Sequence, residues 1–97
     1  MKIYFVTTLE DLYDSYSFKR TVGYYCNIED AKYVVENNVC DINETCYDYA
    51  VIEEIEEGMY PRVEQQLFYK FDYFDKKYKE TSYNKFPYKG WQAVKIG

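Results

Sequence analysis

The stretch Cys46–Pro61, CYDYAVIEEIEEGMYP, decides how the chain folds. It opens with Tyr47, Ala50, Val51 and Ile52, β-prone residues that are apolar on both faces of an extended chain, which is the pattern of a strand buried in the middle of a sheet. It then passes into Glu53, Glu54, Ile55, Glu56 and Glu57 and stops at Gly58, with Pro61 close behind. The first half predicts a central strand, and the second half predicts an anionic exit from the sheet. If the strand persists through the glutamates, Glu54 and Glu56 share one face, while Glu53 points with Ile55 and Glu57.

On the N-terminal side, Lys2–Leu9 (KIYFVTTL) is apolar on both faces and predicts an inner strand, and Phe18–Cys26 (FKRTVGYYC) predicts a second strand, with Gly23 marking a bulge or a close backbone approach. Asn27 then caps a helix, with Asp30 near the positive end of its dipole. Ile28, Ala31, Val34 and Val35 form its apolar stripe, and it ends at Asn37–Asn38. Residues 39–46 predict a loop or a short extended piece leading into the central strand. On the C-terminal side, Val63–Phe74 alternates, with Leu67, Tyr69, Phe71 and Tyr73 on one face and Phe68, Lys70, Asp72 and Phe74 on the other. Asp75-Lys76-Lys77 predicts a turn, Tyr78–Ser82 a returning strand, residues 83–90 a loop, and Trp91–Ile96 a closing strand.

This order predicts a single α+β domain over residues 1–97: a mainly antiparallel sheet of five or six strands with one helix packed on one face. One helix cannot cover so wide a sheet, so aromatic loops or a second copy of the chain are expected to cover the rest, and a homodimer is expected.

The 97 residues carry a net charge of −5, which argues against direct binding to DNA or to an anionic membrane. The charge is unevenly spread. Residues 27–57 hold ten Asp/Glu against Lys32 alone, and residues 58–97 hold eight Lys/Arg against four Asp/Glu. Such segregation suggests a recognition patch, or else two solvated faces that neutralise one another. No run of apolar residues reaches the length of a membrane helix, and the early acids do not suit a signal peptide, so a cytoplasmic protein is expected. Cys26, Cys40 and Cys46 are odd in number and are expected to be reduced and partly buried.

There is no His, which removes the usual general base, the Ser and Cys triads and the commonest metal ligand. Three Cys without His supply no set of four zinc ligands. The four glycines are too scattered to cradle a phosphate. The chain is therefore expected not to be an enzyme and to need no cofactor or metal. Two constellations remain. Glu53, Glu54, Glu56 and Glu57 could imitate a run of phosphates for a host protein with a basic groove, could bind a hard cation, or could be a solvated strand end. Tyr69, Lys70, Phe71, Tyr73, Lys77 and Trp91 combine rings that stack on bases with cations that neutralise phosphate, which suits a nucleotide; the same residues also suit the outer face of a sheet or an interface between copies.

At MKIYFVTT, followed by VGYYCNIEDAKYVVENN, the chain resembles small uncharacterised accessory proteins of phages and prophages in Gram-positive bacteria. The shared features are an opening strand, a second strand and a helix of x-E-x-A pattern, here Ile28, Glu29, Asp30, Ala31 and Lys32; the tyrosine-rich strand with its EEIEEG exit, Tyr47–Gly58, also fits. The resemblance covers about the first sixty residues and carries no catalytic residue. It implies an accessory protein of a phage or mobile element that acts by binding, for example an anti-CRISPR or another anti-defence inhibitor. A sponge for a nucleotide immune signal, and a structural or regulatory phage protein without a small ligand, are the alternatives.

Overall fold

A computed structural model describes residues 2–10, 19–57 and 63–82. The elements run β1 (Lys2–Leu9), β2 (Lys19–Tyr25), α1 (Ile28–Glu36), a short 3-10 turn (Val39–Asp41), β3 (Tyr49–Glu56), β4 (Val63–Asp72) and β5 (Lys77–Thr81). The strands form one antiparallel sheet in the order β2-β1-β3-β4-β5, which puts β3 in the middle. The architecture is α+β. The expected strand Trp91–Ile96, the loop 83–90 and the stop at Gly58 and Pro61 lie outside the described residues.

The glutamate run does not leave the sheet. β3 pairs with β1 from Tyr49↔Leu9 through Glu56↔Lys2. Strong β propensity in Tyr49–Ile52 starts the ladder, and a neighbour on each side carries it through the charged residues. β4 gives way instead, with a register shift where Glu54↔Gln65 passes to Ile55↔Val63. The β1–β2 pairing also shifts, between Val6↔Gly23 and Thr7↔Thr21, so Val22 is the extra residue beside the predicted glycine.

Both β2 and β3 run antiparallel to β1 and so parallel to each other, and α1 is the crossover between them. Its start is fixed by Asn27, whose side chain accepts from Glu29 N at 2.7 Å while its own backbone stays extended. Ala31 and Val35 are fully buried, and α1 packs on β1, β2, β3 and β5. Beneath it lie Val6, Ala50, Ile52, Tyr69, Phe71 and Tyr78, with Ile42 from the following loop. The alternation read for β4 holds: Leu67, Tyr69 and Phe71 face this core. Phe68 points the other way, into a second cluster with Leu9, Tyr49 and Val51. Phe68 is buried there, so that face of β4 is not wholly solvated. No helix or strand among the described residues stacks on this second cluster.

Residues 39–46, expected as a loop or a short extended piece, are a chain of tight turns organised by Asn43, which is 4% exposed. Its Nδ2 donates to Tyr47 O at 2.7 Å, its Oδ1 accepts from Thr45 N at 2.9 Å, and its backbone N donates to Asn38 Oδ1 at 3.0 Å. These bonds hold Asn38, Cys40, Asp41, Glu44 and Thr45 at φ between 48° and 66°, a region that costs about 1 kcal/mol or more each for residues with a Cβ. Tyr78 adds a bond from its hydroxyl to Tyr47 O at 2.6 Å, tying the turns to β5. Cys26, Cys40 and Cys46 are free thiols, in line with a reduced state, but all three are exposed and not partly buried as expected, since they lie in the bends and turns outside the core.

Candidate functional site: the outer face of α1

The four glutamates of the first constellation do not make one surface. Glu53 is fully buried on the face away from α1, where Gln66 Nε2 donates to its Oε2 at 2.9 Å. The reason is the two-residue period: a run of charges along a strand is divided between its faces, and here one face is core. Glu54 points to the helix side but is enclosed, its side chain 14% exposed, with Tyr4 OH donating at 3.0 Å and Lys2 Nζ at 3.7 Å. That hydrogen bond raises the Tyr4 pKa. Glu56 is half-buried and Glu57 is exposed.

The second constellation is divided in the same way. Tyr69 is fully buried beneath α1, its hydroxyl 3.4 Å from Glu36 Oε2, and burial drives its pKa above the usual phenol range. Phe71 is 6% exposed, packed edge-on against Tyr78. Lys70 pairs with Lys79, and Lys77 with Asp72, on the opposite face of the β4–β5 hairpin from Tyr69 and Phe71. The strand period therefore turns the rings and the cations to opposite sides of the sheet. Tyr73 lies beyond the end of β4; it is exposed, but its hydroxyl is bonded to Asp48, and partial burial with that carboxylate holds its pKa up at about 12. A groove of about 400 Å³ does run past Lys70, Phe71, Tyr73 and Lys79. Trp91 lies outside the described residues.

Charge does gather on the outer face of α1. Tyr33 is 63% exposed at its centre, with Glu29 and Asp30 one turn before it and Glu36 one turn after. At 100° per residue these four positions fall on the side opposite Ala31 and Val35, although the Glu36 carboxylate reaches back to the Tyr69 hydroxyl and the groove beside Lys77 and Lys79. None of the three carboxylates makes an ion pair within the described residues, and the last turn of the helix carries no base. By contrast, Glu44 in the following turns is neutralised by Arg20 at 2.5 Å. Tyr25 and Glu54 both pair with Tyr4, so α1 enters from the end of the sheet where β3 finishes. The half-buried Glu56, on the helix side of β3, lies toward that same end.

Ile28, Ala31, Val34 and Val35 stand out in the sequence as the apolar stripe of α1, whereas its complementary face does not. The i, i+3, i+4 spacing of Glu29, Asp30, Tyr33 and Glu36 was the signal that would have found it.

Fold and surface thus define an α+β protein with an exposed tyrosine set between carboxylates on the outer side of α1. No family model, curated protein or solved structure matches the chain. Among the described residues no group of three or more Cys, Asp or Glu is placed to hold a metal ion, and no helix is long and apolar enough to cross a membrane.

Proposed function

We propose that the protein is a non-catalytic inhibitor that binds a basic groove on a host protein, with the outer face of α1 as the recognition surface. The supporting observation is the set Glu29, Asp30 and Glu36 around exposed Tyr33, three carboxylates without a counter-ion of their own. Glu29 and Asp30 one turn before Tyr33 and Glu36 one turn after it spread negative charge over about 10 Å of the helix, on both sides of the ring. A groove that binds nucleic acid would attract them. Tyr33 supplies what a pure charge patch lacks, an aromatic ring at the centre of the contact, where interface energy concentrates. The resemblance to phage and prophage accessory proteins supports a bacterial host, a cytoplasmic site of action and a target in an anti-phage defence system.

The experiment is affinity capture from lysate of a Gram-positive host. The reading expects a captured protein with a basic groove, displaced by rising salt and by single-stranded nucleic acid, since charge complementarity dominates. Capture that resists both, or no capture, contradicts it. The nucleotide reading draws support from the groove beside Lys70 and Lys79 alone, because Tyr69 and Phe71 are enclosed. It predicts a rise in thermal stability with a nucleotide, which the protein-binding reading does not.

A further inference from the structure

Leu9, Val51 and Glu53 are fully buried, and Tyr49, Ile55 and Phe68 are nearly so. Strand alternation puts all six on the side of the sheet turned away from α1. Val51, Glu53 and Ile55 follow Tyr49 at every second position of β3, with Leu9 beside Tyr49 and Phe68 beside Val51 in the flanking strands. Neighbouring strands screen the flanks of such residues but leave their tips open. Closing the tips takes a layer stacked about 10 Å above the sheet. α1, and Ile42 in the turns after it, belong to the opposite side. The cover therefore comes from parts of the chain outside the described residues.

Besides Met1, those parts are 11–18, 58–62 and 83–97. The first two are tied into the sheet at both ends. Residues 58–62 join β3 to β4 beside Ile55, too short a link to reach Leu9, which pairs at the other end of β3. Residues 11–18 carry Asp11 and Asp14 with no base, the wrong charge to bring against Glu53. The stretch 83–97 differs on each count. It follows β5, where Thr81 is the register partner of Phe68. Its fifteen residues reach up to about 50 Å when extended, against about 20 Å across the five strands. It brings Phe86, Tyr88, Trp91, Val94 and Ile96 for the apolar surface, and Lys85, Lys89 and Lys95 with no acid. A fully buried carboxylate needs opposite charge or several donors, and Gln66 supplies one donor to Glu53. Tyr49, Glu53 and Phe68 each engage a further group.

We infer that residues 83–97 lie across this second face as its cover, with Trp91 among the side chains packed on Leu9, Val51 and Phe68. The chain then closes on itself a face that would otherwise hold a second copy. Trp91 is enclosed, which takes it out of reach of a nucleotide. The inference stands whether or not α1 binds a host protein.

Trp91 is the one tryptophan of the chain, so its fluorescence in the intact protein reports on this stretch alone. Its emission should be blue-shifted relative to the urea-unfolded chain, and acrylamide should quench it several-fold less. Dilution should change neither. A double-mutant cycle read by urea denaturation places the contact. Trp91→Ala and Phe68→Ala should depart from additivity by about threefold or more in the unfolding equilibrium constant, whereas Trp91→Ala and Val35→Ala, on the helix side, should be additive. A Trp91 as exposed in the folded chain as in the unfolded one would overturn the inference and hand the face to residues 11–18. A blue shift that vanishes on dilution would overturn it in favour of a second copy. Strict additivity with Phe68→Ala would equally sink it, by placing an enclosed Trp91 somewhere else.

Discussion

Two acidic stretches of this chain meet opposite fates. Glu53–Glu57 is contiguous in sequence, yet in space it runs from a fully buried carboxylate to an exposed one. Glu29, Asp30 and Glu36 are spread over two helical turns, yet they converge around Tyr33 on one outer face. The difference is the period of the element. A strand sends neighbours to opposite sides, whereas a helix gathers residues three and four apart. Density of charge in the sequence is thus a poor guide to density of charge on the surface unless the element is known first.

The largest expected effect tests the buried side of this contrast. Glu53→Ala should lower unfolding free energy by about 3 kcal/mol, because it opens a cavity at a fully buried position and takes the acceptor from the half-buried Gln66 amide. Glu29→Ala with Glu36→Ala should change it by less than about 0.5 kcal/mol. Urea denaturation reads both, and equal costs would erase the distinction between the two stretches.

Asn43→Ala asks whether other enclosed polar groups behave like Glu53. It removes two side-chain hydrogen bonds that hold positive-φ turns, and the expected loss is about 2–3 kcal/mol in the same assay. A loss below about 1 kcal/mol would mean that those turns are held by something else.

Alkaline pH probes the buried phenols under α1 and beside it. Burial raises the pKa of Tyr69 and Tyr78, so above the ordinary phenol value near 10 the unfolded chain has lost protons that the folded chain keeps. Stability should be flat up to about pH 10 and then fall, by about 2 kcal/mol over the next pH unit. A thermal melting point that holds steady to pH 11 would contradict the burial of these two hydroxyls.

The smallest effect sharpens the helical side. Asn27→Ala should cost about 1 kcal/mol through loss of the cap on Glu29 N, and Asn27→Asp should restore it. If neither changes stability, the first turn that carries Glu29 and Asp30 is not fixed by its cap.

Much of the fold was legible because it rests on local apolar pattern. Lys2–Leu9 was read to its ends, Asn27 was read as the cap, and the central place of the strand after Tyr47 followed from its two apolar faces. The site was less legible. Whether Glu53 is core or surface depends on β1 and β4 lying on either side of β3, and its partner Gln66 comes from a strand thirteen residues further on. No periodicity within Glu53–Glu57 carries that information. The face of α1 needed only the helical spacing already used for Ala31 and Val35, applied to the residues between them.

The most direct test compares the two stretches as binding surfaces. The partner captured from host lysate is titrated with the wild type, with Glu29→Lys/Asp30→Lys/Glu36→Lys, and with Glu56→Lys/Glu57→Lys. Affinity falling by about a hundredfold or more for the helix variant, and by less than about tenfold for the strand-end variant, is the predicted result. A helix variant that binds as tightly as the wild type would contradict the assignment of recognition to α1.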